Sequence, residues 1–91
     1  LSTPQQWSIF LHQYAELYAQ AAITHIRRNE EVQASTVLQS FTRIAGSSEL
    51  AKHIKAYEDA LPTSGEEMTE DEIRSNKDLQ KRLGQLRKSL R

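Results

Sequence analysis

From Trp7 to Leu90 the apolar residues of this 91-residue chain recur at spacings of three and four. That period sets them on one side of an α-helix, and few other arrangements can bury them together. The first segment starts at "TPQQW", where Thr3 is a good N-cap, Pro4 suits the first helical position and Gln6 stands where a capping-box partner belongs. Trp7, Phe10, Leu11, Tyr14, Leu17, Tyr18, Ala21 and Ala22 follow, with Ile23 and Ile26 widening the stripe. In so short a chain the aromatic stripe Trp7, Phe10, Tyr14 and Tyr18 is expected to be core, with the tyrosines near its edge for their hydroxyls; a peptide-binding face is the other reading. Arg27 and Arg28 suit the negative end of the helix dipole. Asn29 either stops this helix or caps the next, and a single helix running to about residue 45 also fits.

In the second segment Ala34, Val37, Leu38, Phe41, Ile44 and Ala45 share a face, and Gly46 offers a left-handed C-terminal cap. Ser47 or Ser48 can cap a third helix with Leu50, Ile54, Tyr57 and Leu61 on one face, ended by Pro62. "PTSGEE" reads as a loop. Thr69 and Glu72 form a T-x-x-E capping box for the last helix, with Met68 and Ile73 in the staple positions. The fold class expected is therefore all-α: a bundle of three to four helices with an amphipathic, basic C-terminal helix. Helices at about 4–28, 30–45 and 48–61 make a core over residues 1–61. Residues 62–69 are a loop, and the helix over 70–91 either packs on the bundle or projects to a partner.

Composition narrows the functional classes. Apolar residues make up 37%, below the roughly 45–50% of ordinary globular chains, and a chain of this length buries only about 60–65% of its unfolded surface. A core this thin is expected to lean on a partner. There is no cysteine, hence no disulfide or thiolate metal site. No apolar run reaches the roughly 18 residues of a membrane span, and no basic segment precedes an apolar one as in a signal peptide. The chain opens on Leu1 and stops within a helical pattern, so a piece of a longer protein or a processed form is expected. The compartment is left open by the sequence, an intracellular one being favoured.

Net charge is zero but segregated: +1 over residues 1–57, −7 over 58–72 and +6 over 73–91. Much of this follows the helix dipole, with Glu70, Asp71 and Glu72 at the start of the last helix and Arg87, Lys88 and Arg91 at its end. Asp78 and Arg82 form an i,i+4 pair.

Catalytic signatures are missing. His12, His25 and His53 stand apart in sequence with no metal-ligand spacing, and are expected to be structural or solvated. There is no nucleophile elbow or phosphate-cradling glycine loop. The acidic run from Glu66 to Glu72 does not match a calcium loop. The helix-turn-helix pattern in "FTRIAGSSELAKHIKAY" puts Lys52 and Lys55 where inward apolar residues belong. No enzyme, cofactor or metal is expected.

The last helix carries the sharper pattern. Leu79, Leu83, Leu86 and Leu90 fall at d, a, d and a of a heptad, with Arg82 at g and Arg87 at e. Arginine flanks disfavour self-pairing and suit an acidic neighbour, either a partner helix or Glu30, Glu31, Glu49, Glu58 and Asp59 of this chain. Gly84 falls at an exposed b position and weakens the helix by about 1 kcal/mol relative to Ala. The six residues Leu79, Leu83, Leu86, Leu90, Arg82 and Arg87 are thus the candidate partner-binding set. The expectation is a non-catalytic protein–protein interaction or assembly module, an adaptor or scaffold element that takes an acidic protein partner or oligomerises. Binding of nucleic acid, or less readily of an anionic membrane, by the basic helix is the alternative. Against it, no aromatic interleaves the cations for base stacking.

Overall fold

Thr3 and Gln6 open the first helix by satisfying each other's free amides: the Gln6 N–H donates to Thr3 Oγ1 at 3.2 Å, and the Thr3 N–H donates to Gln6 Oε1 at 3.0 Å. In the computed structural model, which describes residues 3–90, four helices follow in order: α1 (Pro4–Arg27), α2 (Glu31–Ala45), α3 (Ser48–Ala60) and α4 (Glu70–Lys88). No strand occurs among the described residues, and the chain is a small all-α bundle. Arg91, expected among the bases that end the last helix, lies outside the described residues.

Asn29 separates α1 from α2. Its φ of 62° is left-handed, a conformation asparagine tolerates better than most residues. The Asn29 N–H donates to Ile26 O at 3.0 Å and the Glu30 N–H to His25 O at 2.8 Å, the paired bonds of a Schellman ending. The same residue does not cap α2, whose N-cap Glu30 makes no side-chain bond to the helix's free amides. Gly46 closes α2 at φ 77°, ψ −172°, a region essentially reserved for glycine and not the left-handed helical cap expected. Ser47 is the N-cap of α3 without a side-chain bond. At α4 the Thr69 hydroxyl accepts from the Glu72 N–H at 3.1 Å and donates to the Glu72 carboxylate at 3.1 Å, so the box closes on the side chains rather than on the Thr69 amide.

α1 is the centre of the bundle, contacting α2, α3 and α4, while α3 also packs on α4. The core comprises Ala15, Ala19, Ala22, Ile23 and Ile26 of α1, Ala34, Leu38 and Phe41 of α2, Leu50 and Ile54 of α3, and Leu83 and Leu86 of α4. The alanines let α1 approach its neighbours closely. Of the aromatic stripe expected in the core, Tyr18 packs against it while the rest lies outside: Trp7 is 49%, Phe10 45% and Tyr14 43% exposed, as are Leu17 at 61% and Ile44 at 72%. Helix α1 has two apolar faces, and the one rich in alanine faces inward because it packs more closely. Gly84 is likewise buried, not exposed. A Cβ there would stand 3.2 Å from Glu58 Oε1.

Candidate functional site

The six residues singled out on α4 are engaged within the chain. Leu83 is fully buried and Leu86 nearly so, while Leu79 and Leu90 pack on the core from its margin. Arg82 donates to Ile26 O at 2.7 Å, a second donor beside the Asn29 N–H at the carbonyl end of α1, and lies 3.5 Å from Glu31. Its expected partner Asp78 is farther, at 3.9 Å. Arg87 forks onto Glu58, Nε to Oε2 at 2.7 Å and Nη2 to Oε1 at 3.3 Å. That carboxylate raises the arginine above its already high ordinary pKa. The acidic neighbours are therefore two of the glutamates named in this same chain. Lys77, Lys81 and Lys88 remain exposed on α4.

The face left uncovered lies on α1. Trp7, Phe10, Tyr14, Leu17, Ala21 and Thr24 follow one another at spacings of three and four, the a and d positions of more than two heptads. Trp7 stacks on Phe10 at 5.6 Å between ring centroids, and Phe10 meets Tyr14 at 4.2 Å. Beside them Tyr18 packs on Phe41 of α2 at 5.2 Å. Together with Leu11 and Ile44 these rings line a groove between α1 and α2 of about 230 Å³. The flanking g positions are Gln6, Gln13 and Gln20, and Glu16 is the single Asp, Glu, Lys or Arg between Thr3 and Thr24. The signal was present in the sequence as a second, offset stripe. What hid it was the assumption that the larger side chains take the interior.

A second group escapes sequence reasoning more completely. His12 of α1 and His53 of α3 lie with ring centroids 4.9 Å apart, and His12 Nδ1 stands 3.3 Å from Glu49 Oε2. Lys52 Nζ is 3.3 Å from Glu49 Oε1. The hydrogen bond from His12, and then that from Lys52, holds the Glu49 carboxyl below its ordinary pKa. The histidines do not stand apart, then: Glu49 and His53 are one helical turn apart, and folding brings His12 to them from 37 positions away. His25 is separate, 3.3 Å from Glu30 at the end of α1.

Among the described residues no helix is long and apolar enough to cross a membrane. No known protein family, curated protein or solved structure matches this chain.

Proposed function

We propose that the chain is a non-catalytic assembly module that pairs with a second copy of itself through the a/d seam of α1, the two α1 helices running antiparallel. The observation that carries this reading is the seam itself: Trp7, Phe10, Tyr14 and Leu17 at coiled-coil spacing, all left facing solvent.

Three features favour a second copy as the occupant. Trp7, Phe10, Tyr14, Leu17 and Ile44 expose on the order of 500 Å² per chain, given that a fully covered aromatic buries roughly 150–250 Å². Doubled, this approaches the lower range of specific interfaces, about 1,200 Å² in total. The glutamine flanks put no like charges against each other, unlike the arginine flanks of α4. Size favours the antiparallel orientation. It sets Trp7 against Thr24, Phe10 against Ala21 and Tyr14 against Leu17 of the second copy, large against small along the seam. A parallel pair would crowd ring on ring at one end and leave Ala21 and Thr24 underfilled.

The test is mass in solution by light scattering over a concentration series. The parent chain should move from one copy to two as concentration rises to the millimolar range. Leu17→Lys, at an exposed site, should keep its helicity yet remain a single copy. Adding Tyr14→Glu to Leu17→Lys should restore the dimer, since antiparallel pairing brings opposite charges together and parallel pairing brings like ones. A parent chain that stays monomeric throughout, or a Leu17→Lys chain that still dimerises, overturns the reading.

A further inference from the structure

We propose that His12, Glu49 and His53 bind a zinc-class divalent cation that fastens the N-terminal half of α1 to α3. Each residue offers one ligand atom, and the three atoms lie within 4.8 Å of one another. Zinc takes imidazole nitrogen at about 2.0–2.1 Å and carboxylate oxygen at about 2.0–2.2 Å, so the edge of its tetrahedron is about 3.3–3.5 Å. The His12 Nδ1 to Glu49 Oε2 distance is already 3.3 Å, long for a charge-assisted hydrogen bond, which closes to about 2.7–2.9 Å, and right for two ligands of one ion. Bringing the widest pair to that edge takes a side-chain movement of roughly 1.5 Å.

A second observation comes from His53. Its Nε2 is buried and has no hydrogen-bond partner among the described residues. Buried ring nitrogens are nearly always satisfied, and a bound metal fixes the protonation of both imidazole nitrogens. The donor set also selects the ion. Two imidazoles and one carboxylate suit zinc and its later-transition-metal neighbours, whereas calcium and magnesium favour oxygen alone. Three protein ligands leave a fourth position for water. Lys52 holds the other Glu49 oxygen and so orients the carboxylate. Its side chain is mostly exposed, so its charge opposes the cation through solvent rather than across a dry site.

The mechanical consequence is specific. No described residue of α1 before Ala15 is fully buried, and Leu11 is half-buried. An ion joining His12 to α3 would anchor that least-held part of the helix on the side opposite the a/d seam, leaving the seam uncovered. The inference is independent of self-pairing.

The experiment is titration of the tag-free, chelator-treated chain with Zn²⁺ by calorimetry, and with Co²⁺ by visible absorption. One ion per chain should bind with micromolar or tighter affinity, with the absorption of tetrahedral cobalt. At a hundredfold excess over Kd the melting temperature should rise by about 10 °C or more. His12→Ala, at a mostly exposed side chain, should retain its helicity and lose affinity by about a hundredfold or more, beyond the 10–100-fold typical of supporting residues alone. Glu49→Gln should weaken binding, and His25→Ala should leave it unchanged. Absence of binding, a His12→Ala chain that binds like the parent, or equal loss on His25→Ala would overturn the site.

Discussion

Glu58 is a buried carboxylate at the contact of α3 with α4, and three neighbours define its surroundings. Arg87 gives it a two-pronged ion pair, Gln80 Nε2 donates to its main-chain oxygen at 2.8 Å, and Gly84 leaves the space its side chain occupies. On helix propensity alone Gly84→Ala should stabilise α4 by about 1 kcal/mol. The added Cβ, 3.2 Å from Glu58 Oε1 and 3.9 Å from Arg87 Nη2, must displace a carboxylate that Arg87 holds on both oxygens. Overpacking of this kind costs about 1–3 kcal/mol. Urea unfolding should therefore find Gly84→Ala less stable than the parent by about 1 kcal/mol. In a Glu58→Ala background, where the clash is gone, the same change should become stabilising. A Gly84→Ala effect of the same sign in both backgrounds would show that Glu58 does not govern the glycine.

At the scale of elements, the turn between α1 and α2 rests on Asn29. Nothing between Thr3 and Ala45 is a glycine, and the only proline, Pro4, suits a helix start, so sequence alone allows one continuous helix. The left-handed φ of 62° with its Schellman bonds makes the break. Asn29→Gly should keep stability within about 0.5 kcal/mol, while Asn29→Ala, which tolerates that φ less well, should lose about 1 kcal/mol by thermal or urea denaturation. Equal stability of the two variants would mean the turn is held by packing rather than by residue 29. Here the limits of sequence reading are concrete. Helix starts at Thr3 and Thr69 were legible because a cap is a local bond between residues three apart. The inward face of α1 was not, because both of its faces are apolar. The choice between alanine and aromatic faces depends on how closely α2 and α3 approach. The meeting of His12 with Glu49 and His53 depends on the same approach, and the exposed assignment of Gly84 failed for want of Glu58.

For the whole molecule, folding and assembly use different sides of α1, and this makes them separable. Leu38, Leu50, Ile54 and Leu83, from three helices, are fully buried together. A chain of this length has roughly 5–13 kcal/mol of stability, and truncating a buried leucine removes about 2–5 kcal/mol. Leu83→Ala should thus take away a large part of the total. Because Leu83 lies in a core shared by all four helices, they should unfold together, with one midpoint by far-ultraviolet dichroism and by tyrosine signals. Leu17 belongs to the other side. At concentrations where the chain is a single copy, Leu17→Lys should shift stability by no more than about 0.5 kcal/mol, as surface changes usually do. It should nevertheless abolish the rise in mass with concentration. Trp7, the sole tryptophan, is half-exposed on the seam. Its emission should accordingly shift to the blue as the parent chain is concentrated, stay constant in Leu17→Lys, and report little of the unfolding of Leu83→Ala. Tryptophan emission that followed unfolding closely and ignored concentration would place Trp7 in the folding core instead, and the seam with it.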